Sequence, residues 1–161
     1  MGVEIERKFL VQDDGWGPAG DGRLQHQGYL AITDRGTMRV RIEAGKAILN
    51  LKSAQQGLTR AEFEYEIPLA DGERILERLC GLVVEKTRYK REHAGHVWDV
   101  DVFHGANEGL VVAEVELADE NEAVELPAWV GQEVSHDVRY RVAHLSQHPF
   151  SEWEDGSAAS K

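Results

Sequence analysis

Three pairs of glutamates at i, i+2 spacing, Glu4/Glu6, Glu62/Glu64 and Glu114/Glu116, stand out in this sequence as groups that could do chemistry. Two pairs of bases, Arg39/Arg41 and Lys86/Arg88, share that spacing, and Lys8, Lys52 and Asp101 lie on the same parities. Paired carboxylates offer the hard oxygen ligands that Mg²⁺ or Mn²⁺ takes. Clustered Arg and Lys suit phosphate oxygens, and Arg can grip them with two parallel hydrogen bonds. A cavity holding both sets would suit a divalent cation chelated by a polyphosphate, because phosphoryl transfer needs mostly positioning and charge stabilisation.

A spacing of two places side chains on one face of a strand. The elements must therefore be strands, and the sequence supplies about eight of them. Val3–Val11 carries Glu4, Glu6 and Lys8 on one face. Leu24–Ile32 contains Gln27-Gly28-Tyr29-Leu30. Thr37–Glu43 alternates Met38, Val40 and Ile42 with Arg39, Arg41 and Glu43, and Ala44-Gly45-Lys46 turns it into Ala47–Ser53. Arg60–Pro68 sets Ala61, Phe63, Tyr65 and Ile67 against Arg60, Glu62, Glu64 and Glu66. Val83–Glu92 turns at Ala94-Gly95 into Val97–Phe103, and Leu110–Leu117 follows. Three short helices complete the pattern. One is capped by Asp71 with an apolar stripe of Ile75, Leu76 and Leu79; the others cover Asp119–Leu126 and Asp137–Gln147. The hairpin spacing makes the sheet mostly antiparallel.

Composition bounds the rest. One domain over residues 1–150 is expected, with 151–161 a disordered tail poor in apolar residues. Eighteen Lys and Arg against 29 Asp and Glu give a net charge of −11, which argues against a nucleic-acid binder but not against a small anionic substrate. No apolar run approaches the roughly 18 residues of a membrane span, and the N-terminus lacks a signal pattern, so a cytoplasmic protein with no membrane partner is expected. Cys80 is the only cysteine, which excludes an internal disulfide and a cysteine-based zinc site. The histidines are scattered, the tryptophans make no stacking platform, and no phosphate-binding glycine loop is present. Glu43, Glu66, Lys90 and Arg91 read as rim or solvent residues.

Two geometries fit the charged faces. A flat sheet could turn them to solvent, or a curled sheet could turn them inward. The short helices favour the second, since their apolar stripes need an outer wall to cover. Eight strands suffice to close a barrel of useful width.

The motifs in order resemble those of the CYTH superfamily, the triphosphate tunnel metalloenzymes. They run Glu4-x-Glu6-x-Lys8, Gln27-Gly28-Tyr29-Leu30, Arg39-x-Arg41, Lys52, Glu62-x-Glu64, Lys86-x-Arg88, Asp99-Val100-Asp101-Val102-Phe103, Glu114-x-Glu116 and Asp137-x-Arg139-Tyr140. The first motif alone is weak; the ordered set, spanning Gly2 to Leu145, is specific. The resemblance implies an α+β, mostly β fold, a closed antiparallel eight-stranded tunnel with a charged lumen and short helices packed outside. It implies hydrolysis of inorganic tripolyphosphate to phosphate and pyrophosphate with Mg²⁺ or Mn²⁺, and a homodimer by analogy. Glu4, Glu6, Glu114, Glu116 and Asp101 would be metal ligands. Lys8, Arg39, Arg41, Lys52, Lys86, Arg88 and Arg139 would bind phosphates. Glu62 and Glu64 would hold a second metal or orient the attacking water, with Lys8 beside them in the catalytic set. Val142 departs from the family, whose members often carry Asn there. Other members are class IV adenylyl cyclases and thiamine triphosphatases, but no adenine-reading residues are identifiable here. A non-catalytic polyphosphate- or nucleotide-binding module would be expected to lose its acids, and all three acidic pairs are present.

Overall fold

Two of the hairpins close on the dipeptide Ala-Gly. Ala44 and Gly45 have φ of 51° and 74°, and Ala94 and Gly95 have 48° and 84°. Positive φ at both central residues gives the tight turn whose twist matches its flanking strands. A computed structural model of the protein describes residues 2–153. Its strands are β1 (Gly2–Val11), β2 (Arg23–Thr33), β3 (Gly36–Glu43), β4 (Lys46–Ser53), β5 (Thr59–Ile67), β6 (Val84–His93), β7 (His96–Phe103), β8 (Val111–Glu116) and β9 (Val130–Glu133). The helices are α1 (Leu69–Arg78) and the one-turn α2 (Val142–Leu145).

The strands pair in the order β5-β4-β3-β2-β6-β7-β8-β1, and β1 returns to β5, so eight antiparallel strands close on themselves. Closure leaves no free edge among them. β1 is the seam. Its first residues pair with β5 (Glu4 with Arg60) while Glu6 to Leu10 pair with β8 on the other side. Beyond the β5 contact β9 takes over, pairing with Phe9 and Val11. β9 is a ninth strand that the alternation does not reveal, being four residues long.

The outer wall is apolar. Phe9, Trp98, Val100, Ala113 and Val115 point away from the charged faces and pack with Trp16 and Trp129. α1 covers β2, β3 and β4 as an outer helix. It begins after Pro68 and has no side-chain cap; Asp71 lies in its first turn, where its negative charge complements the positive end of the helix dipole, and is not the N-cap. Leu76 and Cys80 lie over Gly28, and Gly72 lies over Ala47.

At one end the lumen faces themselves turn apolar. Leu10, Val84, Phe103 and Val112 share parity with the charged residues of β1, β6, β7 and β8, and they cluster with Tyr140 and Leu145. The end is thereby filled. The segment expected as one helix over Asp137–Gln147 does this in two pieces, a 3-10 turn at Val138–Tyr140 and α2. Asp137 accepts from Arg139 N, and Arg141 between the pieces is extended. α2 therefore sits at the lumen end, unlike α1. Asp119–Leu126 is not helical. Asp119 accepts from Asn121 N and Glu122 from Ala118 N, so the side chains take backbone donors locally in turns. Of the expected tail, Ser151–Trp153 are described, with the Trp153 ring edge-on to Tyr140 and Phe150; residues 154–161 lie outside the described residues.

A Cβ on Gly72 would stand 2.4 Å from Ala47 Cβ, a contact neither side chain can swing away from. Helix propensity favours Ala over Gly by about 1 kcal/mol, but overpacking costs about 1–3 kcal/mol. Gly72→Ala should therefore destabilise, with a lower midpoint in thermal or denaturant unfolding. A midpoint raised by the substitution would show that α1 lifts off the sheet freely.

Candidate active site

The inward faces of all eight closing strands meet around a cavity of about 570 Å³. Glu4, Glu6, Lys8, Arg39, Arg41, Lys52, Glu62, Glu64, Lys86, Arg88, Glu114 and Glu116 all line it. Twelve of the expected site residues are thus brought together, and the inward geometry holds over the solvent-facing one.

Register sets some acids opposite bases or amides and one acid opposite another. Glu6 faces Glu116 and Lys8 faces Glu114 across β1 and β8. Lys52 faces Glu62, and Asn50 faces Glu64, across β4 and β5. Lys52 Nζ donates to both Glu4 oxygens at 3.2 and 3.0 Å, and Arg60 Nε donates to Glu4 Oε1 at 2.9 Å. Asn50 Nδ2 donates to Glu62 and Glu64, and Arg41 donates to Glu64. Arg39 is held differently. Its Nη1 donates to Gln27 Oε1 at 2.8 Å, and Gln27 donates to Gln25, which donates to Glu43. Neutral amides orient that guanidinium and leave its charge uncompensated. Lys8 Nζ likewise donates to a neutral group, Tyr140 O, at 3.1 Å.

The carboxylates are crowded. Burial, the charge and hydrogen bond of Glu114, and the charge of Glu4 push the Glu6 carboxyl well above its ordinary range. Burial would raise Glu114 too, but Lys8, the Glu6 hydrogen bond and Arg88 outweigh it and hold Glu114 well below. The two titrate together, with Glu6 driven up and Glu114 down. Burial, Glu4, Glu62 and Asp99 raise Glu116. A crowded set of carboxylate oxygens that repel one another is chemically fitted to a hard divalent cation. Among the described residues no three such side chains yet form a group that could hold a metal. Glu4 and Glu114 are instead turned to bases.

Two expected residues do not belong to the cavity lining. Asp101 is 1% exposed and its oxygens are committed: Lys86 Nζ donates at 2.7 Å, Arg88 Nε at 2.7 Å and Arg88 Nη2 at 2.8 Å. It is the buried counter-ion of two bases, turned to them rather than to the cavity. Burial pushes the Lys86 amine down to about 8 even so. Arg139 stands outside the cavity, paired with Asp137 at 2.6 Å and lying over the Tyr140 and Trp153 rings. Its guanidinium is not presented to the lumen as a phosphate ligand.

Arg60, Asn50, Asp99 and Arg141 are among the polar residues in or beside the cavity that the candidate set drawn from the motifs lacks. Arg60 precedes Glu62 by two, Asn50 precedes Lys52 by two and Asp99 precedes Asp101 by two, so strand parity could have found them. Arg60 and Asp99 line the cavity directly, and Asn50 reaches it through its bonds to Glu62 and Glu64. Arg141 also lines the cavity, from an irregular segment where parity carries no signal.

Residues 2–147 match the family model described as CYTH domain. A protein of Acetivibrio thermocellus named inorganic triphosphatase is 43% identical over 96% of this chain and all of its own length. One of Nitrosomonas europaea with the same name is 38% identical over 86% of this chain and 93% of its own. A crystal structure described as an inorganic triphosphatase is 36% identical, superimposes with a TM-score of 0.66, and covers 91% of this chain and 95% of its own.

Asp101→Asn would leave Lys86 buried without its counter-charge, and breaking such a pair costs about 3–5 kcal/mol. Burial raises the Asp101 carboxyl, yet Arg88 and Lys86 hold it below its ordinary 3.8. The folded protein therefore binds this proton less readily than the unfolded chain. Its stabilisation is present above 3.8 and is lost as pH falls through the lower folded value. The stability gap between wild type and variant, measured by urea unfolding, should be wide near neutrality and shrink in acid. A gap independent of pH would contradict the pairing.

Proposed function

The chain belongs to the CYTH domain family, and on that premise we propose that it hydrolyses inorganic tripolyphosphate to phosphate and pyrophosphate with the help of Mg²⁺ or Mn²⁺. One observation carries the reading. The cavity sets a crowded, mutually repelling group of carboxylates beside Lys8 and Arg39, two lining cations held by neutral partners. The first group calls for a cation and the second for an anion.

Glu4, Glu6, Glu114 and Glu116 would hold the divalent cation, which supplies neutralisation of phosphate charge and polarisation of the phosphoryl group. Lys8 and Arg39 bind phosphoryl oxygens, with Arg41, Lys52, Lys86 and Arg88 as the surrounding basic wall. Glu62 and Glu64, fixed by Asn50, orient the attacking water and accept its proton. Oxygen of that water bonds to the terminal phosphorus as the bridging P–O bond breaks. The electron pair leaves on pyrophosphate, whose growing charge meets the basic wall.

Phosphate release from tripolyphosphate, ATP and thiamine triphosphate with either metal, beside detection of cyclic AMP from ATP, tests this. Tripolyphosphate should be turned over fastest and without a cyclic product. Tight polyphosphate binding with no turnover would leave a binding module instead. Glu6→Gln should lower turnover by about 100-fold or more while the protein stays folded. Unchanged turnover would remove Glu6 from the metal set.

A further inference from the structure

The lining cations divide by what holds them. Arg41, Lys52, Arg60, Lys86 and Arg88 each have a carboxylate within 4 Å. Lys8 and Arg39 have neutral partners. Arg141 alone has neither: among the described residues no carboxylate pairs with it, and its Nε is buried without a hydrogen-bond partner. Arg141 is only partly buried, but an Nε shut away from water with no acceptor is a cost that a ligand outside the chain could relieve.

Nothing local requires this side chain. The Arg141 backbone makes the contacts that hold its segment, N donating to Val138 O and O accepting from Leu145 N. The guanidinium instead lines the cavity. There it faces Arg60, and burial together with the Arg60 charge makes its proton easier to lose than an ordinary arginine's. Arg60 is itself tied only to Glu4, which Lys52 shares. Two mutually repelling guanidiniums, one sharing its single acid with Lys52 and the other without any, are short of negative charge. A phosphoryl group supplies it, with oxygens for both planar forks.

We propose that Arg141 is a further substrate-binding residue, taking a phosphoryl group of the triphosphate together with Arg60. This rests on the triphosphatase reading above. The segment through α2 then does two things. It fills the lumen end, and it carries a cation to the substrate. Substrate thereby bridges this segment to the barrel wall.

Calorimetric titration of the whole protein with inorganic tripolyphosphate, no metal added, tests the assignment. Arg141→Ala should weaken Kd about tenfold or more, and Arg141→Lys should restore part of the loss, having charge but no fork. Thermal melting of the ligand-free variants should stay close to wild type, since no side-chain hydrogen bond or ion pair is removed. With metal present, KM should rise more than kcat falls. An Arg141→Ala Kd within about twofold of wild type overturns the proposal, whatever the turnover. Wild-type protein that binds tripolyphosphate without hydrolysing it overturns the triphosphatase reading, and Arg141 is still judged by the change in Kd. Wild-type protein that binds none overturns both.

Discussion

Inside a closed barrel a charge must meet its opposite within a few ångströms or be left for a ligand. The constraint is severe because low local dielectric magnifies both attraction and desolvation cost. It explains why the lumen of this protein is not simply basic. Lys86 and Arg88 share Asp101, which water hardly reaches, and Lys52 and Arg60 share Glu4. These pairs let the fold carry buried bases. What remains unmatched is narrow: Glu6 crowded against Glu114, and cations held by amides or by nothing.

The apolar end follows from the same constraint. Were the lumen charged along its full height, still more ions would need partners. The strands instead finish in Leu10, Val84, Phe103 and Val112, and the C-terminal segment adds Tyr140 and Leu145. This cluster dries one end and anchors the segment whose Tyr140 carbonyl receives Lys8. Core and site are therefore continuous along single strands. In β1, Glu4, Glu6, Lys8 and Leu10 pass in order from ionic wall to hydrophobic plug.

Much of the barrel was legible because period-2 alternation is strong wherever one face is apolar. The eight closing strands and the Ala-Gly turns follow from it. Pattern alone did not decide whether the charged faces turned in or out. A flat sheet and a barrel have the same alternation; they differ in the β1–β5 pairing that closes the ring, a contact with no local signature. The helices are less legible. At Asp119–Leu126 the residues have helical composition, but Asp119 and Glu122 bond to nearby backbone and to His96, and those local bonds win.

The site was legible to the extent that it is built from strands. In a strand, two residues on is the same face, so Glu4 predicts Glu6 and Glu62 predicts Arg60 and Glu64. Parity says which side chains look inward but not which of them are already spent on one another. Asp101 has the parity of a ligand, yet its depth beneath Lys86 and Arg88 makes it a counter-ion. Beyond β9 even parity fails. Arg139 and Arg141 are two apart, but a 3-10 turn ends between them, and the same offset sends one guanidinium to Asp137 and the Trp153 ring and the other into the cavity. In irregular backbone the face of a residue is set by which groups cap the turn, and here the Asp137 cap that holds Arg139 outside leaves Arg141 as the basic residue of this segment that the lumen receives.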